Sequence, residues 1–194
     1  MSQNKRFILY GIVATFLIVT YFFKGSNRAQ NSLPVIGSIP EFEFISSNNK
    51  LISNVNLTGK VWIADFIFTT CAMACPVMTG NMNRIHKEFK NEDKVRMVSI
   101  SVYPEYDTPQ ILAEYASKYN ANTNRWFFLT GDEEQVKNVI KNGFKIGDYE
   151  DIIFHSEKFA LVDQTGNIRS YYNGMKSDDM KKLKKDIKIL LSES

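Results

Sequence analysis

The sequence predicts a mixed α/β domain, and three observations carry this prediction. Apolar segments of strand length alternate with amphipathic segments of helical period, which is typical of an α/β order. The composition is that of an ordinary globular protein, 44% hydrophobic and 23% charged, and 194 residues favour one domain over two. Turn signals near both ends of the domain predict hairpins, so antiparallel strands join the sheet.

The first predicted elements are a β-hairpin, a buried strand and an amphipathic helix. Residues 41–57 contain two strand-like runs around Asn48-Asn49, which predicts an N-terminal β-hairpin. The run KVWIADFIFTT, residues 60–70, is β-branched, aromatic and long enough for a buried strand. The helix after it opens with Pro76 in its first turn and carries an apolar stripe at helical spacing: Met78, Met82, Ile85 and Phe89.

The second half of the domain continues the alternation of strands and helices. Residues 95–102 and 125–131 are apolar strands, and a helix between them begins at Thr108 as the cap with Pro109 following. Three further elements complete the order: a helix with an acidic first turn over 132–144, a hairpin over 158–174 and a closing amphipathic helix with Met180, Leu183, Ile187 and Leu190 on one face.

The N-terminus carries a candidate membrane anchor. Residues 7–23, FILYGIVATFLIVTYFF, are seventeen residues without a charge, and roughly 17–25 residues suffice to span a bilayer. We predict a tail over 1–6, a transmembrane helix over 7–23, a linker over 24–32 and the globular domain over 33–194. A cleaved signal peptide is the alternative, but the small-x-small cleavage pattern is not evident. Basic residues flank the segment on both sides, so charge does not set its orientation.

Nucleic-acid binding is excluded by the charge pattern. The net charge is only +3, and no cluster of Lys and Arg is interleaved with aromatic residues. The basic C-terminal segment is interpreted as the solvated face of the last helix.

Both cysteines of the chain, Cys71 and Cys75, lie where the buried strand meets the helix. The two thiols are one helical turn apart, so they can converge on one point at a helix N-terminus, where thiolates are favoured. In open α/β sheets this edge is where ligands usually bind. The spacing alone leaves three interpretations open: a metal site, a redox-active dithiol, or a pair of inert buried cysteines.

The histidines and prolines of the domain favour copper. His86 stands beside the apolar stripe of the helix and is expected to face solvent, whereas His155 precedes a late strand. No proline follows Pro109, so the cis-proline that faces the dithiol in thioredoxin-type oxidoreductases has no counterpart. Two thiolates and one imidazole form a soft trigonal set suited to copper, whereas zinc would prefer four ligands, and no fourth Cys or His is available to the site.

These residues resemble the Sco/SenC family, the copper-binding assembly proteins of cytochrome c oxidase. The family pattern F-T-x-C-x-x-x-C-P is complete over 68–76, and its D-P-E-R-D-T region resembles SVYPEYDTP over 101–109. A late histidine, followed by a strand that ends in D-x-x-G, resembles HSEKFALVDQTG over 155–166. The resemblance covers roughly residues 33–191.

The resemblance implies a thioredoxin-like domain tethered to a membrane, with one copper, Cu(I) or Cu(II), held by Cys71, Cys75 and His155. It implies copper delivery to the Cu-A centre of cytochrome c oxidase subunit II, or to another copper-accepting protein. It also places the domain on the periplasmic side of a bacterial inner membrane; a mitochondrial inner membrane is less favoured because no Arg- and Ser-rich transit segment precedes the anchor.

Three positions depart from the family pattern. Phe154 stands where an Asp commonly precedes the histidine, and Tyr103 and Tyr106 replace an Asp and an Arg. A carboxylate beside a metal-bound imidazole can change metal affinity tenfold or more, so these departures bear on affinity, on the copper oxidation state and on the partner surface.

Two other functions compete with copper delivery. The same dithiol could form a redox-active disulfide and act as a thiol–disulfide reductase on another exported protein. A peroxiredoxin-type peroxidase would share the fold, but it explains neither His155 nor the tight cysteine spacing. Met73, between the two cysteines, is a further candidate to contact the metal or a partner, whereas Met78 belongs to the core stripe.

Overall fold

A computed structural model describes residues 32–146 and 157–193, together with Val13, Thr15, Ile18 and Thr20 near the N-terminus. The chain divides into two compact units, Met1–Ser32 and Leu33–Ser194. In the first unit Val13, Thr15, Ile18 and Thr20 are helical, and the rest of the predicted 7–23 anchor lies outside the described residues. None of the helices formed by the described residues has both the length and the hydropathy that a bilayer span requires.

The second unit is built on one eight-stranded mixed sheet, which confirms the predicted mixed α/β class. The strand order is β1-β8-β7-β4-β5-β6-β2-β3. Strands β4, β5 and β6 are parallel to one another, and the remaining pairs are antiparallel. The strands span β1 Gly37–Ser38, β2 Glu43–Ser46, β3 Leu51–Ser53, β4 Val61–Ile67, β5 Val95–Ser101, β6 Trp126–Thr130, β7 Lys158–Val162 and β8 Asn167–Asn173.

Helices cover both faces of this sheet. They are α1 Asn54–Leu57, α2 Ala74–Glu88, α3 Pro109–Lys118, α4 Glu133–Asn138 and α5 Ser177–Ser192, and α4 continues as a π-helix over Val139–Phe144. The stripes predicted on α2 and α5 are all buried. Thr108 caps α3 as predicted, with its hydroxyl accepting from the Ile111 amide at 3.3 Å.

Strand β4 is at the centre of the fold because its seven residues are buried on both faces. Alternate residues enter two separate cores. Val61, Ile63 and Ile67 pack with α2, α3 and α5, whereas Trp62 and Phe66 pack with the π-helix on the other face. The carboxyl end of β4 is therefore held rigidly from both sides, and the cysteine loop begins there.

The N-terminal hairpin is confirmed, but its second strand is shorter than predicted. Asn49 takes the left-handed conformation in the turn, with φ at 56°. Strand β3 ends at Ser53 rather than continuing toward Leu57, because the Ser53 amide donates to Asn56 Oδ1 at 2.8 Å and helix α1 starts at the next residue. Local side-chain capping replaces strand pairing here.

The prediction that His86 faces solvent is wrong. His86 is only 8% exposed, and its ring packs against Trp126 at a centroid distance of 5.6 Å. The apolar face of α2 is wide enough to include the position after Ile85, because Trp126 extends the core in that direction. Burial lowers the pKa of His86, and the charges of Arg125 and Lys87 add to this effect.

Candidate metal centre

Cys71 and Cys75 meet at the carboxyl end of β4. Cys71 lies in the loop that follows the strand and is partly exposed, whereas Cys75 is the second residue of α2 and is only 5% exposed. The Cys75 amide donates to Cys71 Sγ at 3.5 Å. The backbone of Cys75 therefore contacts the Cys71 sulfur at the N-terminus of α2, and both cysteines are free thiols.

The two thiols have opposite electrostatic environments. Desolvation opposes ionisation of Cys71, but the amides of Cys75, Met73 and Ala74 together outweigh it and lower the pKa of this thiol. Burial raises the pKa of Cys75 to about 12, and the neighbouring charges of Cys71 and Asp65 add to the rise. Cys71 is therefore the thiol that ionises first and that a solute or partner can reach.

The loop before Cys71 is fixed by a buried carboxylate. Asp107 is fully buried and accepts hydrogen bonds from the Thr69 amide at 3.2 and 3.3 Å, the Thr69 hydroxyl at 2.5 Å and the Ser101 hydroxyl at 2.6 Å. These bonds join the loop after β4 to the loop after β5. Asp107 thus positions the residues that lead into Cys71.

A second buried carboxylate, Asp65, was missed by the sequence reasoning. It lies on β4 on the α2 side and is fully buried, and neither of its oxygens has a hydrogen-bond partner among the described residues. Burial raises the pKa of Asp65 to about 7, and the nearby Ser99 hydroxyl offsets part of that rise. The available signal was a single charged residue inside the apolar run VWIADFIF.

His155 and Phe154 lie outside the described residues, but the segment that follows them is described. Strand β7 is antiparallel to β4, so its start lies beside the end of β4. Glu157, immediately before β7, accepts from the Gly174 amide at 2.6 Å and from Asn173 Nδ2 at 3.1 Å. Asn81 of α2 in turn donates to the Gly174 carbonyl at 2.7 Å. Glu157 is thereby tied to the face of the sheet that α2 covers.

Cys71 and Cys75 are the part of the predicted ligand set that the structure describes. Within residues 32–146 and 157–193 no group of three or more His, Cys, Asp or Glu side chains could hold a metal ion. A three-ligand site thus depends on the placement of His155.

Exposed uncharged side chains occur in the cysteine segment and in the loop after β5. Met73 is 83% exposed and Val77 is 45% exposed. Tyr103 and Tyr106 are 41% and 46% exposed, and their rings stack at 5.9 Å with an interplanar angle of 7°. Two of the three residues that depart from the family pattern, Tyr103 and Tyr106, thus form one stacked pair in the loop that contains Asp107.

Comparisons with known proteins agree on one family. The SCO1/SenC family model matches residues 34–192. The SCO1 protein homolog of Bacillus subtilis is 31% identical over 187 residues, which is 93% of this chain and 96% of that protein. The putative copper-binding protein of Stutzerimonas stutzeri is 32% identical over 72% of this chain and 71% of that protein.

Solved structures are similar over most of the chain. BsSco, a member of the Sco family of cytochrome c oxidase assembly proteins in which a disulfide switch was identified, aligns with a TM-score of 0.74 and 32% identity. That alignment covers 84% of this chain and 99% of BsSco. Arabidopsis thaliana ScoI with copper bound aligns with a TM-score of 0.65 and 27% identity, over 77% of this chain and 98% of that structure.

Proposed function

The chain belongs to the SCO1/SenC family, and we propose that it is a copper metallochaperone whose cargo is held by Cys71, Cys75 and His155. The observation that carries the proposal is the convergence of Cys71 and Cys75 at one loop–helix junction, with an N–H···S distance of 3.5 Å. Thiolates are soft donors that suit Cu(I). Copper-bound structures of similar proteins support the same cargo.

The anchoring of Glu157 supports His155 as the third ligand. One residue, Ser156, separates His155 from Glu157, and the two residue steps between them span at most about 7 Å of extended chain. Glu157 is tied to the α2 side of the sheet, where both cysteines lie. We propose that the imidazole of His155 completes the soft trigonal set.

A copper titration of the full-length chain in detergent tests the proposal. We expect one Cu(I) per reduced chain, and we expect Cys71→Ser, Cys75→Ser and His155→Ala each to weaken binding by tenfold or more. Ser156→Ala is the matched control, because it changes the neighbouring residue and removes no soft ligand. Unchanged affinity in His155→Ala would leave a two-thiolate site and refute the three-ligand assignment.

The recipient we propose is the Cu-A site of cytochrome c oxidase subunit II or another copper-accepting protein. BsSco belongs to a family of cytochrome c oxidase assembly proteins, and this supports the choice of recipient. Mixing the Cu(I)-loaded chain with a purified, reduced Cu-A domain should transfer the metal, measured as copper content after the two proteins are separated. Retention of all copper by this chain would reject that domain as the recipient.

A thiol–disulfide reductase is the second candidate, and the contrast between the two thiols favours it. The Cys71 thiolate would attack one sulfur of a partner disulfide and release the other as a thiolate, giving a mixed disulfide. Cys75 would then lose its proton and attack Cys71, which closes a Cys71–Cys75 disulfide and frees the partner. Two electrons and two protons pass to the partner in total.

Two variants distinguish copper delivery from disulfide reduction. His155→Ala should lose copper affinity but retain reduction of a disulfide-bonded Cu-A domain, whereas Cys75→Ser should stall at the mixed disulfide, which is visible on a non-reducing gel. If the chain reduces no disulfide under any condition, the reductase function is rejected and copper delivery remains as the proposed function.

We also propose that residues 7–23 anchor the chain in a bacterial inner membrane with the domain on the periplasmic side. The length and lack of charge of this segment support the anchor. After alkaline carbonate extraction the chain should remain with the membrane pellet, and protease added to spheroplasts should digest the domain. Release into the supernatant would reject the anchor.

A further inference from the structure

Met73 lies between the two cysteines and projects an apolar side chain into water. It is the residue before α2, in the turn that closes from Cys71 to Cys75, and its 83% exposure is the highest among the exposed large apolar side chains of the described residues. Burying a Met side chain stabilises a fold by roughly 1.5–3 kcal/mol. Met73 remains exposed, so its side chain does not contribute this stabilisation to the domain.

The turn keeps Met73 close to Cys71 Sγ. The Cys75 amide reaches this sulfur from the far end of the turn at 3.5 Å, and the Met73 amide is among the groups that stabilise its ionised form. The Met73 side chain is therefore attached to backbone that contacts the Cys71 sulfur, and it extends into solvent. Methionine is unbranched and flexible, so its thioether can approach an ion bound there without moving the backbone.

Other methionines near the site are held in the core. Met78, one turn further along α2, is 1% exposed, and Met82 is fully buried. Of these three thioethers, that of Met73 is the one that can meet an ion arriving from solvent.

We propose that the Met73 thioether is a transient Cu(I) ligand that binds the ion on the open side of Cys71 while copper is loaded and released. This inference rests on the proposed metallochaperone function and specifies how its cargo moves. A neutral thioether is a soft ligand that suits Cu(I). The exchange changes no oxidation state: one Cu–S bond to Met73 forms as one Cu–S bond to the donor or a cysteine breaks, and copper remains Cu(I).

A thioether that acts only during exchange should alter rates more than equilibrium affinity. In the resting complex the two thiolates and the imidazole supply most of the binding. During transfer, Met73 keeps the ion coordinated while a thiolate is replaced, which avoids an intermediate with too few ligands. Loss of the thioether should therefore slow loading and release together.

Met73→Leu separates ligation from surface packing, because Leu has nearly the volume and apolar character of Met but no sulfur. The matched control is Val77→Ala, which trims a neighbouring exposed apolar residue of α2 without touching a sulfur. A small water-soluble Cu(I) chelator, bathocuproine disulfonate, serves as acceptor because it needs no protein docking surface.

The experiment uses the full-length chain in detergent, reduced and loaded with one Cu(I) without oxygen. Stopped-flow transfer to excess chelator should be about tenfold slower for Met73→Leu than for wild type, while the equilibrium affinity changes by less than about threefold. Val77→Ala should transfer at the wild-type rate. In a methionine-methyl NMR spectrum, the Met73 signal should shift on addition of Cu(I). It should not shift on addition of the same buffer without copper.

Equal transfer rates for wild type and Met73→Leu, with an unshifted Met73 methyl signal, would overturn the inference and leave copper binding intact. Equal slowing by Val77→Ala would also overturn it, because the effect would then follow apolar surface rather than sulfur. A wild-type chain that takes up no Cu(I) would instead overturn the proposed function, and this inference with it.

Discussion

Cys71 and Cys75 differ at the level of single residues in exposure and in ionisation. The pKa of Cys71 is lowered because the amides around its sulfur outweigh desolvation, whereas burial raises the pKa of Cys75 to about 12. In the reduced, metal-free chain at pH 7.5, iodoacetamide should alkylate Cys71 at least tenfold faster, since the thiolate is the reactive form. Peptide mass spectrometry measures this ratio, with Cys71→Ser and Cys75→Ser as controls. Faster modification of Cys75 would contradict the assignment of Cys71 as the reactive thiol.

Asp107 should stabilise both the fold and the cysteine loop. Asp107→Ala leaves the Thr69 amide and two hydroxyls without their acceptor, so we expect a loss of about 2–4 kcal/mol in the free energy of unfolding. Thr69→Val, the matched control, removes one hydroxyl and should cost about 1 kcal/mol. Urea unfolding measures both. Equal losses would show that the Thr69 hydroxyl carries most of the effect.

Asp65 should make the stability of the domain depend on pH. Its pKa is raised from 3.8 to about 7, so between these values the folded state holds a proton that the unfolded state has released. Stability associated with Asp65 is therefore greatest below pH 4 and is lost as pH rises to about 7. The loss is at most about 4 kcal/mol, at about 1.4 kcal/mol for each pKa unit.

Asp65→Asn removes this titration while keeping the shape of the side chain. The stability of the variant relative to wild type should increase between pH 5 and pH 8, by about 2 kcal/mol or more. Urea unfolding at both pH values measures the change. A constant difference between the two proteins would mean that Asp65 does not titrate in this range.

The sequence predicted the residues of the site whose spacing carries a signal, and missed those whose role depends on the fold. Cys71 and Cys75 were found because one helical turn separates them beside a strand end. Asp65 was missed because a strand of seven buried residues has no polar face that would indicate which side a carboxylate occupies. The burial of His86 was missed because it depends on Trp126, forty residues away in the sequence.

At the scale of elements, periodicity predicted every long helix and central strand, but chemistry at their ends altered the boundaries. The α2 stripe at i, i+4, i+7 and i+11 is buried because a helical period keeps those residues on one face. The change of α4 into a π-helix at Val139 has no counterpart in the hydrophobic pattern, because both helix types bury similar residues.

Two glycines in helical segments provide a prediction about elements. Gly80 lies within α2, and a Cβ there would meet nothing within 4 Å, so Gly80→Ala should stabilise the domain by about 0.5–1 kcal/mol through helix propensity. In the π-helix, a Cβ on Gly143 would lie 2.6 Å from Cδ of Pro40, a rigid ring, so Gly143→Ala should destabilise by about 1–3 kcal/mol. Thermal unfolding of both variants tests the pair; equal signs would contradict the packing of Pro40 on the π-helix.

At the scale of the whole domain, the sheet brings together segments that are far apart in sequence. Strand β1 pairs with β8, and β7 returns antiparallel beside β4, so Glu157 lies at the edge where the cysteine loop begins. Pairings between segments that are about one hundred residues or more apart leave no local pattern, and the sequence alone therefore indicated the strands but not their order.

Arg169 on β8 connects the two ends of the domain. Its guanidinium donates to the carbonyls of Leu33 and Pro34, to Asp163 at 2.9 Å and to Glu193 at 3.3 Å. Desolvation opposes ionisation of Asp163, but hydrogen bonds from Asn167, Thr165 and Arg169 together lower its pKa. The ionised pair therefore stabilises the domain above pH 4, and this stabilisation is lost as pH falls through the lowered pKa of Asp163.

Arg169→Gln should cost about 3–5 kcal/mol at pH 7, because it leaves the buried carboxylate of Asp163 and the carbonyls of Leu33 and Pro34, at the start of the domain, without their cation. The cost should shrink as the pH is lowered from 7 toward 3, because protonation of Asp163 progressively removes the unpaired charge. Urea unfolding at both pH values measures this, and Lys181→Gln, which breaks an exposed ion pair with Asp178, should leave stability unchanged within error. If the cost of Arg169→Gln were the same at both pH values, the bonds to Leu33 and Pro34 rather than the pair with Asp163 would be what closes the domain.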